Sequence, residues 1–298
     1  MKKATIFIKG GFGNQLFQFS FAEFLRQKNF IVEVNTELFN LIENDTPREL
    51  VLPIEYFGLK EQNYLSKKKF EYFFKLNTSG LVRDSFLRQL FREYKFIKEN
   101  DNFLESKDKN FFFNGYWKNM EYIIENKNFL ITSLSKNKKI KKEYDADHKE
   151  NFAMIHVRRG DFLKDDRELK ISYYEESMKA FRKKNPSIKF DIFTDDEIWV
   201  KNQKIFSSVE DVYGQVGGKN TDLNNIDIDG KDDKEETIAT FSKMLNYKNF
   251  IAGNSSFAFW AAFIRSDSSS LVSVPNPWFR NNSHPTLKKD NWFEIKNY

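Results

Sequence analysis

Apolar and polar positions along the chain follow two alternating patterns. Short apolar runs at residues 4–8, 31–34 and 111–113 predict buried strands, and apolar spacing over 16–28 predicts a helix. Residues 10–13 are mostly glycine and predict a turn between the first strand and that helix. A strand, turn, helix and strand in this order indicate an α/β layer.

The same alternation begins again in the second half of the chain. Helices are predicted at 173–184 and 257–264. Strands are predicted at 152–157, 190–193, 250–252 and 271–274.

Three polar segments organise these elements. Residues 61–96 carry Lys, Phe, Leu and Arg at helical spacing, and 215–236 are rich in Gly, Asn and Asp, which predicts a long surface loop. Residues 135–142 contain five lysines and predict a solvated helix end or linker, which is the candidate domain boundary. We therefore predict two α/β domains, residues 1–140 and 150–298.

Composition narrows the class of protein. The 298 residues suit two domains, and 33 phenylalanines allow a substantial core. The absence of cysteine excludes disulfides, thiol nucleophiles and thiolate metal sites. The first apolar run is too short for a signal peptide or a membrane span, so we expect a cytoplasmic protein.

The net charge of +5 is spread along the chain. It favours anionic ligands or an anionic lipid surface, so peripheral contact with the inner face of the membrane is an alternative. It falls short of the concentrated positive charge of a nucleic-acid-binding protein, and we expect no nucleic acid partner.

The glycine-rich turn is the first candidate site. Gly11, Gly13 and Asn14 lie between a predicted strand and a helix, where backbone can approach an anion closely. Gly11 and Gly13 match the first two glycines of a dinucleotide fingerprint, but Leu16 occupies the third position. A tight structural turn and a nucleotide-sugar or acceptor loop are the other interpretations.

The most informative motif follows the strand at 152–157. Arg158 and Arg159 come at its carboxyl end, where α/β proteins bind ligands, and two guanidinium groups suit a diphosphate. His156 and Asp161 flank the pair and are the nearest candidate bases, while His156 has a structural role as its alternative. A solvated surface pair is the alternative for the two arginines.

Two further strand ends carry polar residues. Asp195 and Asp196 could bind a nucleoside, bind a metal or cap a helix. No histidine or further aspartate stands nearby at ligand spacing, so we expect no metal and no cofactor. The turn after the strand at 250–252 could hold phosphate through backbone N–H groups or form an ordinary helix cap; it comprises Asn254, Ser255, Ser256 and Phe257.

Together these motifs resemble the bacterial and animal alpha-1,2-fucosyltransferase family, within a group that also includes alpha-1,6- and protein O-fucosyltransferases. Seven motifs match in order over most of the chain. They are residues 10–18, Gly115-Tyr116-Trp117, the His-x-Arg-Arg-Gly-Asp motif at 156–161, Tyr173-Tyr174, Phe193-Thr194-Asp195-Asp196 with Trp199, residues 254–257 with Trp260, and Pro277-Trp278-Phe279.

The resemblance implies two Rossmann-like domains facing across a cleft, a GT-B-like arrangement. It implies inverting, metal-independent transfer of L-fucose from GDP-fucose, which is the donor substrate, to a galactose-containing oligosaccharide or lipid-linked glycan, most simply at O-2 of a galactoside. By the same resemblance Arg158 contacts the β-phosphate beside Arg159, Asp195 or Asp196 binds the nucleoside, and residues 255–257 form the phosphate turn.

The sequence departs from the family pattern at two places. The tryptophan-rich stretch after the serines reads Phe-Ala-Phe-Trp-Ala at 257–261, and Thr240 stands where an acidic residue is expected. Glu235 and Glu236 are the substitutes for guanine recognition. A transferase for another nucleotide sugar or another linkage is one alternative function, and an inactive nucleotide- or glycan-binding module is another.

Overall fold

The computed structural model describes residues 1–41, 48–62, 94–99, 101–214, 234–280 and 286–297. Most of the predicted helical segment 61–96 and most of the predicted loop 215–236 lie outside these described residues. The described chain divides into two compact units, Met1–Ser133 (unit 1) and Leu134–Tyr298 (unit 2). Each unit is built around its own parallel β-sheet, so the predicted α/β class is confirmed.

Unit 1 contains a four-stranded sheet in the order β2-β1-β4-β3, with all strands parallel. Its strands are β1 (Lys2–Phe7), β2 (Phe30–Asn35), β3 (Tyr94–Lys98) and β4 (Asn110–Asn114). Its helices are α1 (Phe12–Gln27), α2 (Leu38–Leu41) and α3 (Lys127–Leu134), with 3-10 turns at Ile54–Phe57, Met120–Tyr122 and Ile124–Asn126.

Unit 2 contains a six-stranded parallel sheet in the order β10-β9-β8-β5-β6-β7. Its strands are β5 (Phe152–Val157), β6 (Lys189–Thr194), β7 (Val212–Gly214), β8 (Asn249–Ile251), β9 (Val272–Asn276) and β10 (Phe293–Lys296). Its helices are α4 (Lys138–Asp145), α5 (Ile171–Lys184), α6 (Glu197–Lys201), α7 (Lys234–Met244) and α8 (Ser256–Arg265), with 3-10 turns at Leu163–Asp165 and Lys204–Phe206.

Aromatic residues form the core of unit 1. The Phe21 ring stacks on Trp117 at a centroid distance of 4.3 Å, and Phe103 and Phe113 meet edge to face at 5.0 Å. These contacts fix α1 against the loop that follows β4. In unit 2, Tyr173 on α5 is fully buried, and its hydroxyl donates to the Ala252 carbonyl just beyond β8.

Three predicted elements differ from the structure. Helix α1 begins at Phe12, because Gly11 takes an extended conformation and acts as its N-cap, so Gly13 is helical. Residues 94–96, predicted as helical, begin β3. Glu235 and Glu236, predicted as loop, lie in the first turn of α7.

Residues 135–142, predicted as a solvated helix end or linker, contain the start of a helix. Helix α4 begins at Lys138, after the Asn137 side chain accepts hydrogen bonds from the Lys139 and Ile140 N–H groups. Within unit 2 it is joined to the loop after α7 by a 2.6 Å hydrogen bond from Asn246 Nδ2 to Glu143. The division between units therefore falls at 133/134, ahead of the predicted limits of 140 and 150.

Candidate active site at the carboxyl edge of the unit 2 sheet

The strand order of unit 2 changes direction between β5 and β8. The chain runs from β5 outward to β6 and β7 and then returns to β8 on the other side of β5. In parallel α/β sheets, ligands bind outside the carboxyl ends of the strands at such a switch point. The loops after β5 and β8 carry residues 158–161 and 252–255, so two sequence motifs meet there.

At Gly253, the loop after β8 lies very close to His156 at the end of β5. A Cβ built on Gly253 would lie 2.9 Å from the His156 carbonyl oxygen and 3.1 Å from His156 Nδ1. Any side chain at this position would therefore push the two loops apart. The His156 ring itself is completely buried, which favours its structural role over that of a base.

Two carboxylates hold Arg158. The Arg158 Nε and Nη2 atoms lie 2.9 and 2.8 Å from Asp161 Oδ1, and Nη1 lies 3.0 Å from Asp195 Oδ2. The Asp195 side chain is fully buried, whereas that of Asp161 is 37% exposed. The guanidinium is thus anchored from within the protein on one edge and faces an accessible carboxylate on the other.

Arg159 is held flat by different groups. Its Nε lies 3.1 Å from Asp196 Oδ2, and its guanidinium carbon lies 4.0 Å from the centroid of the Trp199 ring. Its backbone N–H donates to Asp195 Oδ1 at 2.8 Å. A guanidinium fixed by an ion pair and a ring face retains its planar orientation for a ligand.

The two aspartates after β6 act within the protein. Asp195 uses one oxygen for the Arg159 N–H and the other for the Arg158 guanidinium. Asp196 caps α6 by accepting the Trp199 N–H at 3.0 Å, in addition to pairing with Arg159. Of the interpretations offered by the sequence, these contacts support helix capping for Asp196. Pairing with the two arginines is a contact that the sequence analysis did not predict.

The turn after β8 begins helix α8. The Ser255 hydroxyl accepts the Phe257 N–H at 3.3 Å and is the N-cap, and Ser256 is the first helical residue. The Phe257 ring packs 5.5 Å from Phe241 on α7. Asn254 is 2% exposed, and no described residue donates a hydrogen bond to its buried Oδ1 atom.

A third arginine joins this edge, which the sequence analysis did not single out. The Phe162 ring centroid lies 5.9 Å from the Arg158 guanidinium and 4.5 Å from that of Arg167. Asn254 Nδ2 donates to the Arg167 carbonyl oxygen at 2.7 Å. Arg167 lies in an irregular polar segment, so only its position after β5 could have indicated it.

The remaining predicted residues lie in unit 1. Gly11 is the N-cap of α1, with the Asn14 and Gln15 N–H groups donating to its carbonyl at 2.9 and 3.1 Å, and Gly13 is in the first turn. Gly10 has a φ of 76°, which favours glycine. Buried Gln15 fixes this turn by donating to the Gly10 and Glu49 carbonyls at 2.9 and 2.8 Å.

The described residues contain neither a metal cluster nor a membrane helix. Within them, no three His, Asp or Glu side chains group so as to hold a metal ion. No helix in the described ranges has the length and apolar character required to cross a bilayer.

The structure is an α/β protein with an arginine pair at the carboxyl edge of a parallel sheet. The family model described as Glycosyl transferase family 11 matches residues 2–296. The chain therefore belongs to glycosyl transferase family 11, which confirms the resemblance to a fucosyltransferase family.

Relatives within the family come from Escherichia coli. The chain is 30% identical over 178 residues to an alpha-1,2-colitosyltransferase, covering 56% of each protein. It is 24% identical over 151 residues to the O-antigen biosynthesis glycosyltransferase WbnK, covering 49% of this chain and 45% of that one. The chain thus spans about half the length of the relatives it matches.

Two solved structures are similar at low identity. Fucosyltransferase NodZ from Bradyrhizobium matches with a TM-score of 0.43 and 12% identity, covering 88% of this chain and 92% of that one. A mutant of Arabidopsis thaliana FUT1 in complex with GDP matches with a TM-score of 0.45 and 9% identity, covering 92% of this chain and 70% of that one.

Proposed function

We propose that this glycosyltransferase transfers L-fucose from GDP-fucose to a hydroxyl of a galactose-containing glycan, with O-2 of galactose as the acceptor atom. The observation that carries the proposal is the arginine pair at the β5/β8 switch point, with Arg158 anchored by buried Asp195. The name of the colitosyltransferase relative specifies an alpha-1,2 transfer of a sugar, which supports the linkage.

The proposed reaction breaks the bond between the fucose anomeric carbon and the β-phosphate oxygen, and the electron pair leaves with GDP. The acceptor oxygen attacks the opposite face of that carbon, so the configuration inverts, and the acceptor hydroxyl loses its proton. Charge that grows on the β-phosphate must be met by fixed donors if no metal takes part. Arg158 supplies a planar fork for this purpose, and Arg159 supports it.

Asp161 and Asn254 supply further groups to this proposal. Asp161 is accessible and contacts the arginine that binds phosphate, so it is the better placed candidate for taking the acceptor proton than buried His156. We propose that the buried Asn254 Oδ1 atom accepts a hydrogen bond from a hydroxyl group of the nucleotide sugar.

A second candidate donor follows from the colitosyltransferase relative, because its name specifies a different sugar. The test is therefore a matrix of donors and acceptors. The purified chain is incubated with GDP-fucose, GDP-colitose, GDP-mannose and UDP-galactose, each with a panel of galactosides, and product linkage is read by NMR.

We expect GDP-fucose to give an α-linked product at O-2 of a galactoside. If only GDP-colitose serves as donor, colitose and not fucose is the transferred sugar. Binding of GDP by calorimetry with no transfer from any donor would instead identify an inactive binding module.

A further inference from the structure

A third loop lies at the carboxyl edge of the unit 2 sheet, after β9. Strand β9 is the parallel neighbour of β8, so the loop after it borders the loops after β8 and β5. This third loop begins with Pro277-Trp278-Phe279, a motif of the family resemblance, and continues to Arg280. The Arg280 side chain reaches the segment that follows β5.

Arg280 contacts both residues that flank Arg167. Its Nη2 atom donates to the Asp166 carbonyl oxygen at 3.0 Å, pairs with the Asp166 carboxylate and lies 3.2 Å from Glu168 Oε1. The Arg280 side chain is only 24% exposed, so these contacts are partly shielded from water. Arg280 therefore joins the loop after β9 to residues 162–168, a segment that follows β5.

The backbone of this segment needs support from outside. Asp166 has a φ of 54°, in the left-handed region that residues other than glycine seldom adopt. Leu163 is exposed, so burial of its side chain does not hold the turn. Besides the Arg280 contact, the Phe279 ring packs edge to face on Phe162 at 6.2 Å and joins the same two loops. That ring contact remains in an Arg280 variant, so we expect the variant to fold.

The segment fixes one buried group of the site. The Arg167 carbonyl, which lies between the two residues that Arg280 contacts, accepts a hydrogen bond from Asn254 Nδ2 at 2.7 Å. Because the amide nitrogen is bound on this side, Asn254 Oδ1 must face the other way. This oxygen is buried and receives no hydrogen bond from a described residue. The direction of the Asn254 oxygen therefore depends on where Arg280 holds the segment.

We propose that Arg280 is a positioning residue for the donor. It holds residues 162–168, and through the Arg167 carbonyl it sets the direction in which Asn254 Oδ1 accepts the hydroxyl of the nucleotide sugar, without touching the donor itself. A ligand-binding side chain that is fixed before binding costs less free energy to order. This inference rests on the proposed function, which takes Asn254 as a donor-binding residue.

The first test removes the Arg280 charge. GDP-fucose KM, acceptor KM, kcat and melting temperature are measured for the unsubstituted chain, for Arg280→Gln and for a control, Lys288→Gln. Lys288 is an exposed residue nearby in the chain, and its ammonium group lies 2.7 Å from Glu294 Oε1. The control therefore also removes one positive charge and one ion pair from unit 2.

We expect Arg280→Gln to raise the GDP-fucose KM about tenfold, as for one lost charge-assisted hydrogen bond, and to leave the acceptor KM unchanged. Lys288→Gln should change neither KM. A purely structural role would lower the melting temperature and the active fraction, and hence kcat, but not the KM of the folded enzyme. An unchanged GDP-fucose KM in Arg280→Gln would therefore overturn the proposal.

A second variant, Glu168→Ala, distinguishes positioning from direct contact with the donor. It removes one of the groups that Arg280 holds, so the segment is less fixed and the GDP-fucose KM should rise. If Arg280 bound the donor diphosphate directly, removal of this competing carboxylate would strengthen donor binding. A lower GDP-fucose KM in Glu168→Ala would thus contradict the proposal.

Coupling to Asn254 is tested by combining Arg280→Gln with Asn254→Ala. When the Asn254 side chain is absent, Arg280→Gln should change the GDP-fucose KM less than about twofold, because both substitutions act on the same contact. The same tenfold rise in both backgrounds would show that Arg280 acts elsewhere, and the proposal would be wrong.

Hydrogen–deuterium exchange without any donor separates this inference from the proposed function. The Leu163 and Arg167 N–H groups donate to the Arg159 and Phe162 carbonyls at 2.8 and 2.9 Å, so their exchange reports how firmly the segment is held. If Arg280→Gln speeds this exchange and GDP-fucose gives no product, Arg280 holds the segment and the donor is wrong. If GDP-fucose is transferred and Arg280→Gln changes neither exchange nor KM, the positioning role is wrong and the transferase proposal stands.

Discussion

At the scale of single residues, two aspartates that differ in exposure hold the Arg158 guanidinium. Its guanidinium contacts a fully buried carboxylate, Asp195, and a half-exposed one, Asp161. A ligand phosphate can replace the accessible Asp161 carboxylate, whereas Asp195 stays in place because it also binds the Arg159 N–H. In the proposed function, the diphosphate would bind the same edge of Arg158 that Asp161 contacts in the structure.

Replacing Arg158 by lysine tests whether the planar fork is required. Arg158→Lys keeps the charge but offers no fork, so turnover should fall about a hundredfold or more, for a loss of about 3 kcal/mol of transition-state stabilisation. Thermal melting is measured beside kinetics. Arg182→Lys, on the far part of α5 where Arg182 bonds Ser208, is the control and should retain activity. Near-normal turnover of a well-folded Arg158→Lys would place the diphosphate elsewhere.

Asp161 gives a second test with an unusual direction. Asp161→Asn removes a negative charge that competes for Arg158, so GDP should bind roughly threefold to tenfold more tightly by calorimetry. If Asp161 also takes the acceptor proton, kcat should fall while the GDP affinity rises. Weaker GDP binding in this variant would show that Asp161 holds Arg158 in place and does not compete with the ligand.

At the scale of elements, the close contact of the β5 and β8 loops is the feature that forms the site. Gly253→Ala would bring Cβ to 2.9 Å from the His156 carbonyl oxygen. This backbone oxygen cannot rotate away as a flexible side chain can. We expect a loss of about 1–3 kcal/mol in the free energy of unfolding, measured by urea denaturation.

The matched variant for this test is Gly214→Ala, at the end of β7. Its added Cβ would lie 2.5 Å from Glu197 Oε1, the tip of a flexible and exposed side chain that can move away. Its stability should change by less than about 0.5 kcal/mol. Equal losses for the two alanine variants would contradict the role given to the loop contact.

Among the described strands, every one in the middle of a sheet was predicted from its sequence pattern, and of those at the edges only β2 was. Central β5 was predicted at its observed bounds because every residue from 153 to 157 is buried and the run is apolar. β10 alternates half-buried Phe293 and Ile295 with exposed Glu294 and Lys296, and β7 has three residues, so neither produces an apolar run. The start of α1 was missed because Gly11 caps it without a side chain.

The site shows a similar division. The sequence placed the Arg158 motif and the Asp195 motif each at a strand end, and the two lie together because β5 and β6 are adjacent and parallel. The loop geometry determines which carboxylate pairs with which arginine, and the sequence pattern does not predict this pairing. Arg167 joins the site through such a loop, so spacing alone did not reveal it.

At the scale of the whole molecule, the described residues contain no group of three His, Asp or Glu side chains that could hold a metal ion. We expect transfer activity to survive millimolar EDTA, because fixed guanidinium groups can meet the phosphate charge. The assay is GDP release with and without chelator. Loss of activity that Mg²⁺ or Mn²⁺ restores would show that the catalytic charge comes from a metal.

The internal pairing of Arg158 and Arg159 also affects how quickly the nucleotide sugar arrives. Two guanidinium charges lie against three carboxylates, Asp161, Asp195 and Asp196, so their long-range field is largely cancelled before any ligand approaches. Electrostatic steering weakens when charges cancel within a Debye length, about 10 Å at 0.1 M salt. The association rate constant of the nucleotide sugar should then be low for a ligand of its charge and nearly independent of ionic strength. The arginines would attract the diphosphate only once the two are in contact.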